Sequence, residues 1–250
     1  RLGHTKYTDT NAFITIRQGA AMVNRPRIAI VGRFTEHASA IRSLGVVSSR
    51  RLLEAVWAAG GEPITFLPVE NSNWEERLQG IKGVLIPGGG DVNPKWYGEE
   101  PNTEELYGVD DLQDENDFSI AKYAFDNGLP ALAICRGFQL VNVLMGGSLV
   151  QHMEKDHRNY IHQITIDKDM EGLGLSKPTL ESSCFHHQSI KKLGDGLEVL
   201  ATASEGHVEA FKIPAKAWAY GVQWHPEDNY KENPQQLELF QRLVIEANKN

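Results

Sequence analysis

Short apolar runs alternate with longer amphipathic segments along the first 150 residues of this chain. The segments over 48–61 and 109–128 have helical periodicity, with serine or acidic residues near their starts and glycine at their ends. The apolar runs have the length and composition of buried strands; they are RIAIVG (27–32), PITFLP (63–68), GVLIPGGG (83–90) and PALAI (130–134). Buried strands that alternate with helices predict an α/β fold, with a mostly parallel sheet and helices on both of its faces.

The pattern changes after residue 160. Four runs there alternate between apolar and polar residues, which is typical of half-exposed or mixed-sheet strands; they cover 162–166, 197–203, 208–213 and 217–224. A final helix is predicted over 234–249. No internal repeat, low-complexity tract or linker divides the sequence, so residues 25–250 are expected to form one domain. The polar residues 1–24 are expected to be an N-terminal arm or tag.

Composition and charge exclude several classes of function. A formal net charge of −8 argues against general binding to nucleic acid or to anionic membranes. No run approaches the roughly 20 apolar residues that span a bilayer, so the cytoplasm is the expected location. The sequence contains two cysteines and no CxxC, HExxH or EF-hand pattern, so neither a disulfide framework nor a metal is expected.

Cys135 stands at the junction between a predicted strand and a predicted helix, in ALAICRGFQLVNVLMGG (131–147). Ligands of open α/β sheets bind at the carboxyl ends of the strands. A nucleophile on such a turn is lifted clear of the sheet, and the helix N-terminus favours negative charge on its sulfur. Gly137 allows a tight turn, although Ala133 stands where an elbow usually has glycine. The alternative is a buried cysteine that only packs.

A candidate base lies in YGVQWHPED (220–228), where His225 and Glu227 are two residues apart. In an extended chain these side chains point to the same side, and Pro226 is expected to keep the segment extended. The imidazole could then move a proton while the carboxylate orients it. Taken alone, this motif is better explained as a surface histidine beside a turn acid, but a cysteine elbow and a histidine require each other.

A glycine-rich segment, IPGGGDVNPKWYGEE (86–100), follows another buried strand. Its three glycines allow a sharp turn that presents a backbone N–H to a developing oxyanion. A phosphate-binding loop is the obvious alternative, but the spacing fits neither GxGxxG nor GxxxxGK[ST].

The motifs PGGGD, CRGFQ and HPE, in this order, resemble the class I glutamine amidotransferase-like superfamily. The segments around them, together with CFHHQSI (184–190), resemble the γ-glutamyl hydrolase group (peptidase C26), and especially the γ-glutamyl-γ-aminobutyrate hydrolases of putrescine breakdown. The resemblance implies a three-layer flavodoxin-like sandwich. It makes Cys135 the nucleophile, His225 the base and Glu227 its orienting residue, and it places an oxyanion hole at the N–H groups of Gly89 and Arg136.

The resemblance also implies a substrate-binding set. Gln139 matches a glutamine that contacts the bound glutamyl group, and His186 and Gln188 match a loop near the glutamyl α-carboxylate and amine. The two histidines of that loop could equally well only hydrogen-bond the backbone. Cys184 has no elbow around it and is expected to pack in the core.

The activity that the resemblance implies is hydrolysis of a γ-glutamyl amide through a thioester, with a small-molecule substrate and without cofactor or metal. Phe138 replaces a histidine that is usual in synthetase-coupled members, which favours a free-standing hydrolase. Two alternatives stay open: a glutaminase subunit that supplies ammonia to a separate synthetase, and a non-catalytic binding protein on the same fold. A homodimer is the base-rate expectation for a soluble enzyme.

Overall fold

A computed structural model describes residues 25–37, 42–155 and 157–250. The predicted arm, residues 1–24, lies outside this range. The strands are β1 (Arg27–Val31), β2 (Arg33–Thr35), β3 (Gly45–Val47), β4 (Glu62–Phe66), β5 (Ile81–Ile86), β6 (Ala131–Ile134), β7 (Ser148–Val150), β8 (Tyr160–Thr165), β9 (Thr179–Cys184), β10 (Ser189–Lys192), β11 (Glu198–Thr202), β12 (Val208–Lys212) and β13 (Ala219–Val222). The helices are α1 (Arg50–Ala58), α2 (Trp74–Arg77), α3 (Asp111–Asn127), α4 (Arg136–Leu144), α5 (Met170–Leu173) and α6 (Pro234–Ala247), and 3₁₀ turns cover Pro94–Tyr97 and Pro226–Asp228.

Seven strands form the central sheet in the order β11-β12-β13-β6-β5-β1-β4. The five strands from β13 to β4 are parallel, whereas β12 pairs antiparallel with both β13 and β11. The mostly parallel sheet with antiparallel strands in the C-terminal half is therefore confirmed. Three two-stranded sheets, β2-β3, β7-β10 and β8-β9, lie outside it.

The central sheet is covered on both faces because its strands are apolar on both sides. Along β1, Ile28 and Ile30 belong to one buried cluster, which includes residues of α1 and α6. Ala29 and Val31 point the other way, into a second cluster with residues of α3 and α4. Such two-sided burial is what continuous apolar runs predict for a parallel sheet. The predicted three-layer arrangement is confirmed.

Local signals set the limits of the longest helix. The side chain of Asp110 accepts a hydrogen bond from the backbone N–H of Gln113 at 2.9 Å, which caps the start of α3. Gly128 ends this helix with a φ of 73°, a left-handed conformation that glycine adopts without strain. None of the helices among the described residues combines the length and the apolar character needed to cross a membrane. The cytoplasmic location and the homodimer stay predictions.

Candidate active site

Three neighbouring parallel strands end at the same edge of the sheet, and each leads into one of the sequence motifs. In the sheet register, Ile86 of β5 lies beside Ala133 of β6, and Ile134 lies beside Val222 of β13. The glycine-rich loop follows β5, Cys135 follows β6 directly, and His225 lies three residues after β13. Segments far apart in the sequence therefore meet at the carboxyl edge, where α/β proteins bind their ligands.

Cys135 has the strained backbone of a nucleophile elbow. Its φ of 51° and ψ of −106° lie outside the regions that a residue with a side chain favours. The surrounding structure holds this conformation: the Cys135 N–H donates to the carbonyl of Val222 at 2.9 Å, and the Cys135 carbonyl accepts from Gln139 at 3.1 Å. Gly137 is required by close packing, because a Cβ there would lie 2.2 Å from the carbonyl oxygen of Ile86. The predicted tight turn is confirmed.

His225 contacts both of its predicted partners. Its Nδ1 lies 2.8 Å from Oε1 of Glu227, and its side chain is close enough to Cys135 to interact with it electrostatically. Burial alone would lower the pKa of His225, but attraction to Cys135 and Glu227 outweighs it and raises the pKa well above 6.5. The predicted extended segment is wrong, since Pro226 begins a 3₁₀ turn. Proline is favoured at the first position of a helical turn, and this turn brings the carboxylate back to the ring.

The glycine-rich loop packs directly on this pair. A Cβ at Gly88 would lie 2.9 Å from Cε1 of His225 and 3.7 Å from Cβ of Cys135, so only glycine fits between them. Within the described part of the chain, the backbone N–H groups of Gly89 and Arg136 have no hydrogen-bond partner. Arg136 is the first residue of α4, where a helix leaves its N–H groups unpaired. Both N–H groups are thus free to bind an oxyanion.

A buried ionic network supports the loop, and the sequence analysis did not identify it. Arg33 donates to the carbonyl oxygens of Pro87 and Gly88, both at 2.8 Å, and to Asp117. The side chain of Arg136 turns away from the thiol and pairs with Asp114 and Asp117 of α3. Burial alone would lower the pKa of Arg136, but the two carboxylates raise it above its usual value.

A signal for this network is present in the sequence. Asp114 and Asp117 are three residues apart and therefore share one face of α3. The acids of this segment also suit the start of a helix, which is the only role that the sequence analysis gives them. An acidic pair at this spacing, in a segment otherwise buried by apolar residues, indicates buried cationic partners.

A cavity of about 500 Å³ opens beside His225 and the glycine-rich loop. Its volume lies within the range of small-molecule sites. Its walls include Gly88, Gly89, Phe185, His225 and Glu227, together with the polar side chains of Arg33, Ser48, Ser49, Arg51, Asn159 and Asp228. The thiol lies just beneath this wall, because Cys135 is only 5% exposed.

The three predicted substrate-binding side chains are in the buried layer behind the thiol, not on the cavity wall. Gln139 donates to the carbonyl of Gln188 at 3.2 Å and to the side chain of Gln223 at 3.1 Å. Gln188 donates to the carbonyl of Gln151 at 3.1 Å, and His186 Nδ1 lies 2.9 Å from the Gln188 carbonyl. These polar groups turn inward because buried carbonyls need donors. Their role toward a substrate stays a prediction.

Cys184 is buried in the core, as predicted. Burial raises the pKa of its thiol above the usual value. Its Sγ also lies 3.4 Å from Nε2 of His162, a contact that the sequence did not indicate.

Comparisons with known proteins agree with this fold. The model of the peptidase C26 family matches residues 26–227. The glutamine amidotransferase-like protein YvdE of Lactococcus lactis is 33% identical over 199 residues, which cover 74% of this chain and 81% of YvdE. The γ-glutamyl-γ-aminobutyrate hydrolase PuuD of Escherichia coli is 31% identical over an alignment of 251 residues, which covers 89% of this chain and 94% of PuuD.

The crystal structure of a GMP synthase component from Thermoplasma acidophilum shares the fold. It superposes with a TM-score of 0.64, over 90% of this chain and 95% of its own. Sequence identity is 17%, so this likeness concerns the fold alone. The flavodoxin-like α/β fold class agrees with it.

Proposed function

Because the chain belongs to the peptidase C26 family, we propose that it is an amide hydrolase that cleaves γ-glutamyl amides with Cys135 as nucleophile. The observation that carries this proposal is the contact of His225 with both Cys135 and Glu227, at a strained elbow on the ligand-binding edge of the sheet. A cysteine that only packs in a core needs neither the strain nor the imidazole.

The first half-reaction forms a thioester. The Cys135 sulfur, as thiolate, attacks the γ-carbonyl carbon, and the carbonyl π electrons move to the oxygen. The N–H groups of Gly89 and Arg136 bind the resulting oxyanion. When the oxyanion collapses, the C–N bond breaks, and protonated His225 gives its proton to the departing amine.

The second half-reaction releases glutamate. His225, now neutral, takes a proton from water, and the hydroxide attacks the thioester carbonyl. Collapse of the second oxyanion breaks the C–S bond and returns the thiolate and the protonated imidazole. Glu227 holds the ring by its Nδ1, so the other nitrogen faces the sulfur in both halves.

The proposed leaving group is γ-aminobutyrate or a similar amine, and a role in putrescine breakdown is part of the same proposal. The likeness to PuuD over nearly the whole of both chains supports it. A second support is Arg51, a cation on the cavity wall. Its side chain is 66% exposed, and its Nη1 lies 3.4 Å from Oδ1 of Asp228. Such a group would attract the carboxylate of an anionic leaving group.

The test is glutamate release from a panel of γ-glutamyl-γ-aminobutyrate, γ-glutamyl-putrescine, a folate polyglutamate and glutamine, with Cys135→Ser measured beside the native protein. Turnover of a γ-glutamyl amine that the variant loses is the expected result. Turnover of glutamine alone, stimulated by a partner, would support a glutaminase subunit instead. Tight binding without turnover, with the thiol unmodified, would support a non-catalytic binding protein.

The leaving-group assignment has its own test. Arg51→Gln should raise KM for γ-glutamyl-γ-aminobutyrate by ~2- to 5-fold, the effect of one partly screened charge, and leave KM for γ-glutamyl-putrescine nearly unchanged. Arg50→Gln is the matched control, because Arg50 is 90% exposed, pairs with Glu54 and does not line the cavity. Equal effects of both variants on both substrates would refute the assignment.

A further inference from the structure

A second cluster of titratable side chains lies behind the candidate active site, and none of them acts in the two half-reactions proposed above. It consists of His157, which precedes β8, His186 of the β9–β10 loop, and His207 and Glu209 at the start of β12. Each of these side chains can direct one ligand atom toward a common point, and those atoms all lie within 4.8 Å of one another. We call these four residues the histidine cluster.

The histidine cluster is buried. His157 and Glu209 are 0% exposed, and His186 is 4% exposed. The side chain of His207, the most accessible of the four, is 11% exposed. Imidazole and carboxylate groups that are removed from water to this degree need partners, because burying them unpaired costs several kcal/mol.

Hydrogen bonds within the described residues do not supply these partners. Neither ring nitrogen of His157 has one, and its Nε2 is 3.9 Å from Glu205, too far for a hydrogen bond. Neither carboxylate oxygen of Glu209 has a hydrogen-bond partner there, although its Oε1 lies 2.8 Å from Nε2 of His207. Several buried lone pairs thus converge without the donors that a purely hydrogen-bonded network would provide.

The orientation of His186 is that of a metal ligand. Its Nδ1 lies 2.9 Å from the carbonyl oxygen of Gln188, so the ring proton belongs on Nδ1. Nε2 then carries a lone pair that faces the cluster and has no partner among the described residues. A histidine whose second nitrogen donates to a backbone carbonyl is the usual arrangement around protein-bound metals.

We propose that His157, His186, His207 and Glu209 bind one Zn²⁺ ion. Three imidazoles and one carboxylate are a donor set that zinc accepts in tetrahedral geometry. Four protein ligands leave no open position for substrate, so the ion is structural. This proposal departs from the expectation of no metal, which rested on the absence of a contiguous motif. Here the ligands come from three segments that only the fold brings together.

The ion would fix the loop beneath the nucleophile. The carbonyl oxygen of Phe185 lies 3.9 Å from the sulfur of Cys135, and the next residue is the ligand His186. The N–H of His157 also donates to the carbonyl of His186 at 2.8 Å. A metal at this point would therefore tie the chain before β8, the β9–β10 loop and the β11–β12 hairpin to the rear of the active site.

A neighbouring trio shares one ligand with this cluster. His157, His162 and Cys184 also have ligand atoms close together. In this trio Nε2 of His162 and Sγ of Cys184 already contact each other at 3.4 Å, so the partner that each group needs is present. The histidine cluster, with its unpaired carboxylate oxygen and imidazole nitrogens, is the better candidate, and the experiment separates the two.

The experiment uses the full chain carrying Cys135→Ser, which removes the reactive thiol as an adventitious zinc ligand and does not depend on hydrolase activity. The protein is stripped with a chelator, titrated with Zn²⁺ alone against a chromophoric competitor, and analysed for bound metal. One equivalent should bind, and zinc should raise Tm. In this background His207→Gln and Glu209→Gln should weaken binding at least ~100-fold, whereas the exposed His37→Gln should not.

Cobalt gives a second readout of the ligands. Co²⁺ bound to the histidine cluster should show the visible absorption of a tetrahedral site without a thiolate-to-cobalt charge-transfer band, and Cys184→Ser should leave it unchanged. A charge-transfer band that Cys184→Ser abolishes would assign the metal to the trio and overturn the proposal. Failure of the folded parent protein, checked by circular dichroism, to bind one equivalent of Zn²⁺ or Co²⁺ would also overturn it.

Discussion

Among the glycines of the candidate site, Gly137 has the least room for a side chain, and Gly137→Ala tests whether this close packing positions the proposed nucleophile. Gly137 is the second residue of α4 and packs against the last residue of β5. A methyl group added there would lie 2.2 Å from the carbonyl oxygen of Ile86 and 2.8 Å from its carbonyl carbon. Neither atom can move aside, because both belong to the backbone of a central strand.

The magnitude follows from this overlap. Real Cβ atoms essentially never lie closer than 3.0 Å to another heavy atom, so the start of α4 has to retreat from β5 by about 1 Å, which in a close-packed interior costs about 2 kcal/mol. The retreat moves Cys135 and the Arg136 N–H away from Gly89 and the glycine-rich loop. A misplacement of about 1 Å at reacting groups costs ~100-fold in rate. We expect kcat to fall by this factor.

The assay pairs urea unfolding with kcat for the best substrate of the γ-glutamyl panel. Gly128→Ala is the control: Gly128 ends α3 at the opposite edge of the sheet, with a φ of 73° and no atom closer than 3.9 Å to an added Cβ. Alanine there should cost about 1–2 kcal/mol through backbone strain alone and leave kcat unchanged. If Gly137→Ala keeps native kcat, or if both variants lose activity in proportion to stability, the positioning argument is refuted.

Three further predictions concern the same site. Glu227→Gln should lower kcat by ~10⁴-fold, as loss of the orienting acid does in other triads, and a loss under tenfold in steady-state kinetics would contradict that role. The pKa of His225, followed by NMR, should lie above 6.5 and fall in Cys135→Ser. Because the folded pKa is raised, the stability that His225 gains from its partners is complete below pH 6.5 and is lost as pH rises through the folded pKa. An unchanged pKa of His225 in Cys135→Ser would count against the interaction between His225 and Cys135. Arg33→Met should lower the free energy of unfolding by ~3 kcal/mol, since it removes a partner of buried Asp117. A free energy of urea unfolding within about 0.5 kcal/mol of the native value would show that Arg136 alone is enough to neutralise Asp117.

All seven strands of the central sheet could be predicted from sequence, and the strands that could not be predicted belong to the two-stranded sheets outside it. Strands such as β1 and β6 are buried on both faces, so their local composition alone identifies them. In β9 the buried positions include Ser182 and Cys184, and small or polar side chains turned inward give no hydrophobic period. The strands β2, β3 and β7 have three residues each, too few for any period.

The sequence by itself determined the α/β class and the edge of the sheet at which the candidate site lies. Each depends on local facts: which runs are apolar on both sides, and which residues directly follow the end of a strand. The resemblance carried by the order of the motifs grouped Cys135, His225 and the glycine-rich loop in one site, and the structure adds that the parallel strands before them end at the same edge.

The tertiary structure alone decided which polar groups face each other across distant segments. Asp114 and Asp117 neutralise Arg33 and Arg136 only because α3 packs beside the glycine-rich loop. The histidine cluster likewise converges from three segments with no common spacing. Contacts of this kind depend on how loops and layers pack, and packing is a property of the whole chain that local periodicity does not encode.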